Sequence, residues 1–263
     1  MPSVSIVLLT CGILVVLMLL LWMLQWKWVN AAWADVVWAF CTAGGGIALA
    51  LQCDSPPGRR VLVAVLAGCW GLRLGLYMTT RLRRHGSDSR YESMEQRYAD
   101  RLQLFYFGFF VLQGLVAAAF TLPVMAAAAG PWPSAWAICG AVVVALGMVL
   151  VTVSDRQLAT FKRTNTDPTA LCRRGLWSWS RHPNYFFEWM TWCGWAVMAA
   201  DGTGWWLALG GAGLMLLFLL KLSGIPHVER ESIRRRGEAY LAYQRTTSMF
   251  IPLPPRRGGE DER

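Results

Sequence analysis

Residues 1–25 read MPSVSIVLLTCGILVVLMLLLWMLQ, and no Lys or Arg occurs before Lys27. A segment that is apolar on every face has no solvated side, so it belongs in a large core or in lipid. At this length it is long enough to cross a hydrocarbon layer of ~30 Å. It lacks the basic start and small-residue cleavage site of a signal peptide and therefore reads as a retained helix, over about 4–26. Six more runs follow at about 31–51, 61–80, 103–128, 132–154, 184–200 and 204–222. The pattern predicts an all-α integral membrane protein: a seven-transmembrane-helix bundle with polar cytoplasmic loops and a C-terminal tail. No internal repeat interrupts it, so a single domain is expected over 1–255, followed by a flexible charged tail over 256–263.

Charge supports this class. Only 16% of the residues are charged, where soluble domains carry about 25%. Of the 25 Lys and Arg, six lie in 81–102, six in 156–183 and nine in 221–263, whereas the connections near 130 and 202 hold none. The positive-inside bias places those three segments in the cytoplasm and, counting spans backwards, the N-terminus outside. Trp26, Trp28, Trp33, Trp205 and Trp206 fall near span ends, as interfacial anchors do. The net charge of +9 therefore reflects topology and an anionic small molecule rather than nucleic acid, for which there is no recognisable fold or repeat. The seven Cys are odd in number and contain no CxxC pair, and the three His are scattered, so no metal site is expected.

Ser180–Glu188, SRHPNYFFE, sets Arg, His, Asn and Glu directly before an apolar run. Charges beside hydrocarbon need partners or a task. The three basic stretches mix Arg with Tyr, Asn, Ser and Thr, and Arg forks bind phosphate bidentately. The first supplies Arg81, Arg90 and Tyr91. The second supplies Lys162, Arg163, Asn165, Asp167, Arg173, Arg174, Arg181, His182, Asn184, Tyr185 and Glu188. The third supplies Lys221, Ser223, Glu229, Tyr240, Tyr243 and Thr247. Together they are candidates to enclose a dinucleotide or nucleotide-like cofactor where the bundle opens to the cytoplasm. The alternative is that these charges only fix topology. Neither GxGxxG after a strand nor GxxxxGK[ST] occurs, so such a cofactor would be held by a helical membrane scaffold.

Within the spans, Asp35, Arg73 and Glu188 are ionisable and candidates for function by position. Arg73, Tyr77 and Arg81 follow at four-residue spacing and share one helix face. Asp35 lies near the start of its span, where an interfacial capping role is the alternative.

The segments WGLRLGLYMTTR with HGSDSRY, then GLWSWSRHPNYFFEWMTWCGWA, then KLSGIPHVERESIRRRGEAYLAYQRTTSMFIP, in that order, resemble the membrane steroid 5α-reductase family, especially its bacterial branch. HPNY with its trailing Glu and the terminal YxxY…FIP are also similar to isoprenylcysteine carboxyl methyltransferases and sterol reductases. The resemblance implies a seven-helix bundle in a bacterial inner membrane, NADPH at the cytosolic side and a steroid or isoprenoid lipid entering from the bilayer, with no obligate protein partner. It implies hydride transfer to C5 of a 3-oxo-Δ4-steroid, with an acid and a hydroxyl at the C3 oxygen. On this chain the acid would be Asp35, after Ala31–Ala32–Trp33, kept protonated to donate, with Tyr77 as the hydroxyl and Arg73 tuning both. Asn184 and Glu188 match the family's cofactor-binding Asn and Glu, and Arg90–Tyr91 its polar loop. The other readings are an S-adenosylmethionine-dependent methyltransferase of the isoprenylcysteine type and a non-catalytic sterol-binding protein.

Overall fold

The computed structural model describes residues 1–255 except Trp28, Ser87, Asp88, Pro168 and Ser223, and only the backbone of His85 and Ser89. Trp28 as an anchor, Ser223 as a cofactor contact and the flexible 256–263 tail thus lie outside the described residues. Among those residues all regular structure is helical. The helices are α1 (Val4–Gln25), α2 (Trp33–Leu51), α3 (Pro57–His85), α4 (Ser89–Arg97), α5 (Leu102–Ala128), α6 (Ala135–Thr164), α7 (Pro183–Met198), α8 (Trp205–Leu217), α9 (Ile225–Arg236) and α10 (Glu238–Thr246).

Local sequence explains the boundaries. Ser3 caps α1 by accepting from the Ile6 N–H at 3.4 Å. Asn30 turns the chain into α2, its Oδ1 accepting from the Ala32 N–H at 2.8 Å. Pro57 starts α3, where its missing N–H would be unsatisfied anyway, and Gly86 ends it with φ of 71°. Pro123 lies buried inside α5, and membrane helices tolerate proline where packed neighbours can meet the freed backbone group.

Among the described residues, six segments are long and apolar enough to cross a membrane: Val4–Gln25, Trp33–Leu51, Pro57–Arg84, Ala99–Ala128, Ala135–Thr164 and Trp205–Arg236. The chain is a multi-pass integral membrane protein. Seven such helices were expected, and the difference is α7. Its 16 residues reach ~24 Å at about 1.5 Å per residue, short of a ~30 Å core.

Two compact units emerge, Met1–Ala141 with Trp195–Gly211, and Val142–Gly194 with Ala212–Arg263. In the first, α2 packs against both α3 and α5, and α1 against α5. Small residues permit the approach: Gly71 abuts Ala43 and Gly75 abuts Phe40, while Gly45 and Gly46 meet Thr121 and Val124. At the end where α3 begins and α5 finishes, Arg59 is wholly buried. It donates to the carbonyls of Ala127 at 2.8 Å, Pro131 at 2.9 Å and Met198, and pairs with Asp201 at 2.9 Å. A charge can sit there because every direction of the fork meets an acceptor. In the second unit, Gly147 lets α6 lie against Phe187 and Thr191 of α7, and Trp177 donates to the Ser154 carbonyl at 2.9 Å.

Candidate functional site

In the first unit, the starts of α2 and α4 and the middle of α5 bring four polar side chains together. Asp35, in the first turn of α2, pairs with Arg90 at 2.6 Å. Its other oxygen accepts from the Tyr91 hydroxyl at 3.2 Å and the Gln113 amide at 3.5 Å. Tyr91 is buried, its ring edge-on to Phe109 at 5.8 Å and its neighbours including Met18, Leu21, Tyr106 and Phe110. A carboxylate surrounded by three donors acts as an acceptor that orients them. Asp35 was expected to hold a proton and donate; in the structure its two oxygens face these three donors. Arg90 and Tyr91, expected as cofactor contacts, stand here with the acid. Tyr77 and Arg73 are half-buried on α3 and Arg81 is exposed.

In the second unit the organising group is the Glu229 carboxylate on α9. Its Oε1 accepts from Arg181 at 2.7 Å, His182 at 3.2 Å and the Tyr240 hydroxyl at 3.4 Å, and its Oε2 from Gln244 at 2.9 Å. Because a carboxylate can only accept, His182 donates from Nε2 and carries no proton on Nδ1 when neutral. Burial lowers its pKa from 6.5, outweighing the pull of Glu229, and Arg181 adds to the lowering. Burial, and then the Glu229 charge, pushes the Tyr240 phenol up to about 12.

Arg181 also donates to the carbonyls of Gln244 at 3.2 Å and Thr247 at 2.6 Å. Its own N–H reaches the Ser248 carbonyl at 2.8 Å, and the Ser180 hydroxyl that of Phe250 at 2.8 Å. The Tyr243 hydroxyl bonds the Trp177 carbonyl at 2.5 Å, and Leu253 N–H that of Trp179 at 3.0 Å. Phe250 packs on Phe186 and Trp189. SRHPNY is thereby strapped to the segment after α10.

Other expected residues sit nearby in the same unit. The Asn184 amide donates to Asp155 at 3.1 Å, and its oxygen accepts from the Tyr185 N–H at 3.0 Å. Tyr185 stacks on His182, centroids 5.6 Å apart. Glu188 is buried and accepts from Trp192 at 3.3 Å. Arg173 lies over the Tyr243 ring at 5.1 Å. Arg173 and Arg174 are exposed, as are Lys162, Arg163 and Lys221. Asn165 and Asp167 form a local turn with Thr169, whose hydroxyl and N–H hold the Asp167 carboxyl below its ordinary range.

Gln113, Gln244 and Asp155 were not among the expected site residues. Gln113 stood out as a lone amide in FYFGFFVLQGLVAAA, and Asp155 as an acid at the end of an apolar run. Gln244 carried no such signal in a polar segment. Chemically, the first cluster offers oriented donors in an apolar setting. The second offers a rigid strap flanked by exposed cations.

No curated protein and no solved structure matches this chain. A family model does match, from residue 21 to residue 247, well over half the length and including both clusters. The chain belongs to the family described as protein of unknown function, DUF1295.

Proposed function

We propose that the protein reduces the carbon–carbon double bond of an enone in a steroid or similar isoprenoid lipid, with NADPH as the reductant. The observation that carries this reading is the Asp35 cluster: three hydrogen-bond donors gathered on one carboxylate, one of them, Tyr91, packed in a core of aromatic and apolar side chains. Reduction of an enone puts negative charge on the carbonyl oxygen, and donors preorganised in a dry setting stabilise it most. Asp35 holds Arg90 and Tyr91 in place, and the Tyr91 phenol, whose one O–H points to Asp35, turns it to the C3 oxygen when substrate binds. Tyr77 is the alternative hydroxyl. The resemblance to steroid 5α-reductases noted in WGLRLGLYMTTR and HPNYFFE supports the same reaction.

Bound NADPH would supply the hydride to C5, and the proton added at C4 would come from solvent. The chain's residues fit an anionic dinucleotide in one respect: Arg173, Arg174, Lys162 and Arg163 are exposed cations close in sequence to the strap. Arg181 is already engaged by protein acceptors, so it positions the strap and does not provide the phosphate fork.

Purified protein in detergent should oxidise NADPH with progesterone, testosterone or androstenedione, giving products two mass units heavier by the two hydrogens added. Asp35→Leu should lower turnover roughly 10²-fold, the scale for losing such preorganisation, while NADPH still raises the thermal midpoint. Near-normal turnover in that variant would overturn the assignment of Asp35. Calorimetry should give tighter binding of NADPH than NADH, because only NADPH carries the 2′-phosphate. The internal use of Arg181 favours one second reading, methyl transfer from S-adenosylmethionine, which needs no phosphate site. A thermal shift with that donor and none with NADPH would establish it in place of reduction.

A further inference from the structure

Asp35, Trp38 and Thr42 lie at three- and four-residue spacing on α2 and so share one face. Gln113 donates to Asp35 from α5, and Phe120, two turns further along α5, packs edge-on to Trp38 at 5.7 Å. The face therefore runs along the α2–α5 seam. Two donors on it are unmet among the described residues: the Trp38 indole N–H and the Thr42 hydroxyl, both buried. Thr42 has no exposed surface at all.

A threonine inside a helix normally returns its hydroxyl to the carbonyl one turn back. Thr10, Thr79, Thr152 and Thr191 do so here, at 2.9, 2.7, 2.7 and 3.1 Å. Thr42 does not, although it stands near the middle of its span, where water is scarce. A buried hydroxyl and a buried indole N–H left open on the same face are groups awaiting an acceptor.

We infer that Trp38 and Thr42 form a second polar contact for the lipid substrate, recognising a ketone or hydroxyl oxygen at the end remote from the enone. This rests on the reductase reading for the position of the first end, at Asp35. Seven residues of helix separate Asp35 from Thr42, a rise of about 10 Å. That separation suits a rigid fused-ring lipid with oxygen at both ends, such as a 3-oxo-steroid with an oxygen on C17. A flexible chain oxygenated at one end leaves Thr42 unmet. Binding displaces side chains packed along the seam, among them the half-buried Trp38.

Androstenedione and the same skeleton lacking the C17 oxygen separate the possibilities. For the unaltered protein, the oxygenated steroid should show a KM roughly five- to tenfold lower, the effect of one satisfied buried hydrogen bond. Thr42→Val, which keeps the shape and removes the hydroxyl, should bring the ratio of the two KM values to about one, with Trp38→Phe reducing it. The thermal midpoint of Thr42→Val should not fall, because its hydroxyl bonds nothing, and this confirms that the variant folds. Equal KM values in the unaltered protein, or full preference retained in both variants, overturn the inference while leaving the reductase reading intact. Preferential binding by calorimetry without NADPH oxidation does the reverse. Failure to bind either steroid removes the inference whatever the reaction.

Discussion

Arg59 and Arg181 show how this chain places a guanidinium where water is scarce. Each gives its N–H groups to main-chain carbonyls and one carboxylate, Asp201 for Arg59 and Glu229 for Arg181. Removing one partner of a buried pair leaves the other charged and unmatched, which costs about 3–5 kcal/mol. Arg59→Ala should accordingly lower the thermal midpoint sharply in detergent, with Asp201→Asn less severe because the amide oxygen still accepts from Arg59 and only the charge is lost. Glu229→Gln keeps the shape but weakens the hold on Arg181, His182 and Tyr240. It should make the segment after α10 more susceptible to limited proteolysis than in the parent protein. Unchanged cleavage would mean that the strap does not depend on that carboxylate.

At the scale of elements, close helix contacts and the entry into α7 make the sharpest demands. Gly71 of α3 leaves no room for a side chain against Ala43 of α2. Gly71→Leu should cost more than the about 1–3 kcal/mol typical of overpacking, because two backbones would have to separate. Reduced yield and a lower thermal midpoint would register it. His182, ahead of α7, supplies a pH dependence. Burial lowers its folded pKa beneath 6.5, so the unfolded chain takes up the proton first. Its contribution to stability is full above that value and declines as pH falls below it. Protonation would put a second cation beside Arg181, with Glu229 the nearby anion and Tyr240 neutral. Thermal midpoints measured between about pH 7 and pH 5 should fall, and His182→Gln should flatten the decline; a parallel decline would assign it to other groups.

For the whole molecule, the question is how the chain crosses the membrane. Six segments qualify by length, yet the basic segments 156–183 and 221–263 can share one side only if α7 crosses as well as α8. Reporter fusions should therefore place the N-terminus outside and the C-terminus in the cytoplasm, and termini on the same side would remove α7 from the count. Sequence alone determined the membrane class and the helical identity of the long apolar runs, because about 20 consecutive apolar residues admit few other structures. It also singled out Asp35, Arg181, Asn184 and Glu188, since a charge or amide next to lipid stands out against a uniform background. The partners were another matter. Asp35 meets Arg90, Tyr91 and Gln113 from residues 55, 56 and 78 positions away, and Arg181 meets Glu229 from 48. Those pairings depend on which helices pack together, a property of side-chain volume and glycine placement summed over several elements. Tertiary structure thereby gave Arg181, a candidate phosphate ligand by sequence, a carboxylate and two carbonyls of the chain as partners. It also gathered donors from α4 and α5 around Asp35, because the partners of a polar group in a membrane protein are the neighbours that replace water.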